Sequence, residues 1–153
     1  MEIRVGSAAR HREGIAAGLD RHGLEVLSDG ECLELLAASP VGRLGFSSGV
    51  LPVIFPVNIE LHGWRAYFRV VEGEKLRAAD ARSVACMEVD AYDVLEHRGW
   101  SVLATGRLRR ASGDDEMDTA PAVRPWARAE DSHLVSLDIE LLSGRRIRTW
   151  VSG

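Results

Sequence analysis

The sequence predicts a mainly β, α+β domain. About six antiparallel strands curl into a closed or nearly closed barrel, with two short flanking helices. Three observations carry this. From Val41 onward, apolar residues recur with period two in short runs. Compact turn signals separate the runs, at Ser47 to Gly49 and at His62-Gly63. Helix signals flank only two short stretches, too few for the alternating pattern of a parallel sheet.

Taken in order, residues 1–27 carry weak pattern. Gly14, Gly18 and Gly23 interrupt any helix there, so the segment reads as an N-terminal extension, partly mobile, ahead of a domain over 28–153. Ser28 stands three residues before Glu31, the spacing of a capping box, and Cys32, Leu33, Leu35 and Leu36 follow as a helical apolar set. That helix should end at Ser39, because Pro40 disfavours the α conformation in the residue before it. "PVGRLGFSSG" reads as a strand. "LPVIFPVNIEL" reads as a second, with Val53, Phe55, Val57, Ile59 and Leu61 on one face. Pro52 and Pro56 lack amide donors and mark it as an edge strand or a bulged one. "WRAYFRVV" returns as its hairpin partner, turning Trp64, Ala66, Phe68 and Val70 to the core. "GEKLRAADAR" is a short helix, "VACMEVD" a strand and "DAYDVLEHRG" an irregular excursion. "WSVLATGRLRRA" is a long strand with a bulge at Gly106. A polar, proline-containing loop over 111–133 includes Trp126, an aromatic able to cover a planar ring or a partner subunit. The last strand should carry Val135, Leu137, Ile139 and Leu141 on one face.

Composition removes whole classes of function. Apolar residues make up 46% and charged residues 27% of 153, enough for one soluble core. The net charge of −4 gives no general attraction to nucleic acid or anionic lipid. No apolar run reaches membrane-spanning length, and the first residues lack a signal-peptide core. Cys32 and Cys86 are too few for a disulfide framework and read as buried thiols, so a cytoplasmic protein is expected. His11, His22, His62, His97 and His133 show no zinc-like spacing. There is no G-x-S-x-G elbow, no Walker loop and no G-x-G-x-x-G. In "GRLRR", Arg109 and Arg110 read as exposed strand ends, with one or two of the basic-cluster arginines reaching an anionic ligand as the minority reading.

"VVEGEKLRAAD" stands apart, because Lys75 is the only lysine among 19 cationic side chains. Placed after Gly73 at a helix start, it could meet a phosphate. Glu72 and Glu74 suit the same helix start without any ligand, and the residues alone favour a surface lysine.

The order of segments adds more. "ECLELLAASPVGRLGF", "LPVIFPVNIELHGWRAYFR", "EGEKL", "GWSVLATGRL" and "LLSGRRI", spread over roughly Leu27 to Ile147, resemble the pyridoxamine 5'-phosphate oxidase-like family in its small actinobacterial form. The resemblance implies a six-stranded antiparallel split β-barrel that dimerises. FMN, or in some members a deazaflavin, would lie in the groove between subunits. It implies that Pro56, Val57, Asn58 and Ile59 run beside the flavin ring, meeting its polar edge through backbone groups. Arg69, Val70, Glu74 and Lys75 would form the phosphate site, and Trp100, Ser101 and Val102 would lie near the dimer contact. Arg145 or Arg146 would approach the cofactor. The chain departs from the family's "FRTxxGSK" pattern at Val70 and Glu74, losing two hydroxyl donors and gaining a carboxylate. The implied activity is an FMN-dependent oxidoreductase acting on a small planar substrate, since a flavin carries its own redox chemistry. The alternative is a non-catalytic ligand-binding or sensor protein on the same barrel, with weak FMN binding, another ligand or no cofactor. A true pyridoxamine phosphate oxidase ranks last, because the chain is short for such an enzyme.

Overall fold

The computed structural model describes residues 18–114 and 131–147. The elements in chain order are β1 (Glu25–Val26), α1 (Asp29–Ala38), β2 (Val41–Ser48), β3 (Leu51–Asn58), β4 (Glu60–His62), β5 (Arg65–Val70), α2 (Glu74–Asp80), β6 (Val84–Asp93), β7 (Arg98–Arg110) and β8 (His133–Ile147). All pairings are antiparallel, in the order β3-β2-β6-β7-β8-β5-β4, with β1 on β8. The ladder is left open between β3 and β4, so the barrel is split.

That split explains why eight strands stand where six are expected. The run "LPVIFPVNIEL" is broken at Ile59. β3 pairs with β2 at one edge of the sheet, and β4 pairs with β5 at the other. One residue therefore carries the chain across the seam, and Ile59 N–H donates to Pro40 O at 3.1 Å. Val57 and Ile59 are buried, and Val53, Phe55 and Leu61 pack on the same core, as the alternation predicts. Both Pro52 and Pro56 lie on an edge strand, where their missing amides cost no central ladder bond.

The second additional strand is β1. Glu25 pairs with Arg146 and Val26 with Arg145, extending the edge of β8 that β5 covers from Arg65↔Asp138 to Val70↔His133. Leu27 is buried, and its N–H donates to Gly144 O. Residues 18–27 of the expected extension are thus laid against the sheet; residues 1–17 lie outside the described residues. α1 carries the predicted capping box: Ser28 accepts from Glu31 N–H, and Glu31 accepts from Ser28 N–H.

Four local expectations need correction. The β4–β5 turn is Gly63-Trp64, one residue later than expected, with Gly63 at φ +58°. Trp64 therefore sits in the turn, 39% exposed, while Ala66, Phe68 and Val70 do face the core. "DAYDVLEHRG" is no irregular excursion. Asp90↔Ser101 through Asp93↔Arg98 continue the β6–β7 ladder to a tip at residues 94–97. Third, the bulge falls at Gly106 as predicted, but its effect crosses to β8. Thr105 faces Leu141 and Gly106 faces Ile139, so Glu140 is unmatched and the alternation of β8 inverts there. Leu141 consequently points outward at 67% exposure, while Leu142 packs on the core. A Cβ on Gly106 would collide with the Asp138 carbonyl, which explains glycine at this place. Finally, Arg109 is no exposed strand end: its side chain is 15% exposed and ion-paired to Asp138 at 3.0 Å. Trp126 and most of the 111–133 loop lie outside the described residues.

The core fills the barrel with Leu44, Phe68, Met87, Val102, Leu108 and Leu137, closed by Leu36 of α1 and Leu76 of α2. Gly42 lets Met87 approach β2 closely: an added Cβ would stand 2.5 Å from the Met87 sulfur. Cys32 is buried, and desolvation pushes its thiol up to about 11. Cys86, expected to be buried, is only half-buried.

Candidate functional site

The residues singled out from the sequence fall at the two ends of the barrel. At one end β2, β5 and β7 finish and β8 begins. Here α2 brings Lys75 over the ring of Phe55 on β3, with Nζ 4.1 Å from the ring centroid, a cation–π contact. Phe55 stacks on Phe46 at 5.9 Å, so the ring is held from behind. Lys75 is half-buried and has no hydrogen bond or ion pair among the described residues. Burial lowers its pKa, and the nearby Glu74 charge opposes that shift. Glu74 itself is exposed and accepts a hydrogen bond from Ser48 Oγ at 3.1 Å, which turns its carboxylate toward the end of β2.

Arg69 lies at the same end. Its only described hydrogen bonds are long ones to Ser132, 3.4 Å to the carbonyl and 3.3 Å to the hydroxyl. Neither Arg69 nor Lys75 has a carboxylate within ion-pair distance among the described residues. Val70 is buried in the core, so its side chain offers no polar group here.

Between the two ends runs β3. One side of its backbone is paired to β2 and the other faces the seam, leaving N–H and C=O groups without ladder partners. Pro56 is exposed, Val57 and Ile59 point into the core, and Asn58 is half-buried. Val57 and Ile59 turn their backbone groups toward β2, with Ile59 N–H on Pro40 O, so the seam side of the strand is presented by the backbone of Pro56 and Asn58. From Phe55 to Asn58 is three residues, about 10 Å of strand.

The far end gathers the remaining candidates. Ser101 pairs with Asp90 on β6 and with Arg145 on β8, and Trp100 with Arg146. Val102 is fully buried, while Trp100 is half-buried and packs on the core. Arg145 is bound by Asp20 (Nε to Oδ2, 3.0 Å), and Arg146 by Glu25 and Glu31, both at 3.4 Å. Asp20 has a lowered pKa: the Leu24 N–H is the largest cause, with Arg145 contributing. A protomer thus does not unite all the predicted residues. Trp100 lies four residues, about 13 Å, along β7 from Ala104, which shares a cross-strand row with Phe55.

Sequence reasoning missed Phe55 as the partner of Lys75, because alternation marks it only as core. It also missed Asp20, 125 residues from Arg145; no spacing rule reaches that far.

The outer face of the sheet is open and partly apolar. Ile54, Gly45, Cys86, Thr105 and Leu141 form one continuous cross-strand row, with Ile54 71% and Leu141 67% exposed. Leu103 lies two residues further along β7 and is also exposed. Ser101 and Arg145 continue the same face.

Comparison with known proteins decides the family. The pyridoxamine 5'-phosphate oxidase family model matches residues 28–146. The chain belongs to this family. The uncharacterised protein Rv0080 of Mycobacterium tuberculosis is 30% identical over 123 residues, 76% of this chain and 81% of that one. Among solved structures, an FAD-binding protein of Mycobacterium smegmatis superposes with a TM-score of 0.67 at 29% identity, covering 80% of this chain and 99% of its own. A conserved protein of unknown function from Corynebacterium diphtheriae, DIP1874, does so with a TM-score of 0.64 at 28% identity, covering 80% and 96%. In this family the split barrel found here is the expected fold. No described helix is long and apolar enough to cross a membrane.

Proposed function

We propose that this protein binds a flavin between two copies of the chain and serves as a flavin-dependent oxidoreductase for a small planar substrate. The observation that carries the reading is Lys75: half-buried, held on the Phe55 ring, without a described anionic partner, and placed at the end of the unpaired edge of β3. A desolvated cation with no carboxylate is costly unless an anion completes it. Lys75 and Arg69 would hold the flavin phosphate, the group common to FMN and FAD. The β3 backbone at Pro56 to Asn58 would meet the polar rim of the ring. Glu74, the residue that departs from the family pattern, is compatible with this, because its carboxylate is taken by Ser48. The similarity to the M. smegmatis FAD-binding protein supports a flavin in general, and a single phosphate site favours FMN.

The second copy would cover the row from Ile54 to Leu141, a face too apolar to be left to water without reason. It would also bring its own far end toward the first copy's β3. When bound, the flavin supplies the hydride chemistry. The protein's part is to hold the phosphate, to present the β3 edge to the ring and to exclude water from between the copies.

The test is a flavin titration followed by fluorescence quenching, with FMN and FAD separately, together with sedimentation equilibrium. Binding of a flavin to a dimer, weakened at least ten-fold by Lys75→Ala, supports the reading. A monomer that binds neither flavin at high micromolar concentration overturns it. A protein that binds flavin but never turns over with nicotinamide donors would be a ligand-holding module, the non-catalytic alternative on the same barrel.

A further inference from the structure

The first turn of α2 carries two opposite charges side by side, and the β2–β3 hairpin draws them apart. Glu74 accepts a hydrogen bond from Ser48 Oγ at 3.1 Å. Lys75 lies over the Phe55 ring, with Nζ 4.1 Å from its centroid. The two anchors are well separated on the hairpin. Ser48 pairs with Leu51 and Phe55 with Leu44, two rungs four residues apart on each strand, or about 13 Å. Adjacent residues of a helix leave it in different directions, and here each direction is fixed by a contact of its own. Phe46, stacked on Phe55 at 5.9 Å, keeps the anchor of the lysine in place.

The other acids nearby are engaged elsewhere. Asp80 is bound by Arg110 at 2.9 Å, and Glu72 stands 4.0 Å from His133. Among the described residues, Glu74 is thus the carboxylate whose position decides whether Lys75 is open. Its charge already reaches the lysine, opposing the fall in pKa that burial causes. Without the Ser48 hydroxyl, the carboxylate would turn back toward a half-buried ammonium that has no other counter-ion. An anion entering the site would then have to displace it.

We infer that Ser48 is a positioning residue for an anion at Lys75: by holding Glu74 aside, it keeps the lysine open to a phosphate group. The inference rests on the proposed flavin site for the identity of that phosphate.

The experiment compares the natural full-length protein with Ser48→Ala, Ser48→Thr, Glu74→Gln, and Ser48→Ala combined with Glu74→Gln. FMN affinity is measured by calorimetry. Ser48→Ala should weaken binding by about three-fold or more, and Ser48→Thr, which keeps the hydroxyl, by less than about two-fold. In the Glu74→Gln background, Ser48→Ala should leave affinity unchanged to within about two-fold, because no carboxylate remains to be released. A loss of the same size in both backgrounds overturns the inference, since Ser48 would then act through the fold alone.

A second readout needs no flavin. Lys75 is the only lysine, so protein grown on lysine carrying a carbon-13 label at Cε gives one lysine resonance, and its titration follows this ammonium alone. Ser48→Ala should move the titration upward, and adding Glu74→Gln should cancel the movement. A titration that Ser48→Ala leaves unmoved overturns the inference. Failure of the flavin reading appears separately, as no FMN binding by the natural protein. Inorganic phosphate then serves as the anion, followed on the same resonance, and a resonance that phosphate does not shift overturns the inference as well.

Discussion

Two pairs of cations sit on the same strands in different company, Lys75 and Arg69 at one end and Arg145 and Arg146 at the other. At one end, Lys75 and Arg69 have no carboxylate within ion-pair distance among the described residues, with Glu74 turned to Ser48 and Asp80 taken by Arg110. At the other, Arg43, Arg145 and Arg146 are each bound by one or two carboxylates. An arginine or lysine counted in a sequence says nothing about whether its charge is still available. The sheet decides that, by which strand it lays alongside. β1 brings acids to the far end of β8, and β5, which occupies the same edge at the near end, brings arginines.

The largest effect should come from breaking the device that separates the ends. Gly106→Val would push a branched side chain into the Asp138 carbonyl and disturb the bulge that inverts β8. We expect a loss of about 3 kcal/mol in urea unfolding; a loss below about 1 would mean that the strand relaxes easily. Arg146→Ala should cost about 2–3 kcal/mol, because it takes away a cation held beside the covered Glu25. It should change flavin affinity less than two-fold. Lys75→Ala should do the reverse, with flavin affinity down at least ten-fold, or about 1.4 kcal/mol, and little change in unfolding. If Arg146→Ala weakened flavin as much as Lys75→Ala, the contrast between the ends would fail.

A smaller effect tests the capping box. Ser28→Ala should lose about 1 kcal/mol, read from the unfolding midpoint, since Ser28 satisfies the Glu31 amide at the start of α1. Smallest is the pH response of the segment before β1. The Leu24 amide holds the folded Asp20 carboxyl below its ordinary pKa of 3.8, so its contribution to stability is fully present above that value. It is lost as pH falls through the lower folded value. Trypsin cannot report in acid, so pepsin cleavage within residues 18–27 is the measure. Susceptibility should rise below about pH 3.8 in the natural protein, and Asp20→Asn should show it already at higher pH.

Most of the architecture is legible in the sequence because it is local. Period two marks β2, β3 and β5, a four-residue capping box marks α1, prolines mark the edge strand, and Gly106 marks the bulge. Trp64 reads as core because alternation has no way to register that the turn begins one residue later. Leu141 reads as core for a different reason: the residue that inverts its strand, Glu140, is made unmatched by a glycine on another strand. The candidate site is legible in part. Lys75 stands out by being the only lysine. Its partner Phe55 reads as core, and the ion pair of Arg145 with Asp20 spans nearly the whole chain, beyond any periodicity or spacing rule.

The single-residue crossing at Ile59 has a consequence for solubility. A strand edge with unpaired amides is a template on which other chains can add, and β3 presents such an edge. Because Ile59 ties β3 directly to β4, the two open edges of the sheet stay tethered face to face, and a foreign strand would have to enter between them. Pro52 and Pro56 withhold two amides from any chain that tried. The edge that the proposed flavin would use is in this way kept closed to aggregation.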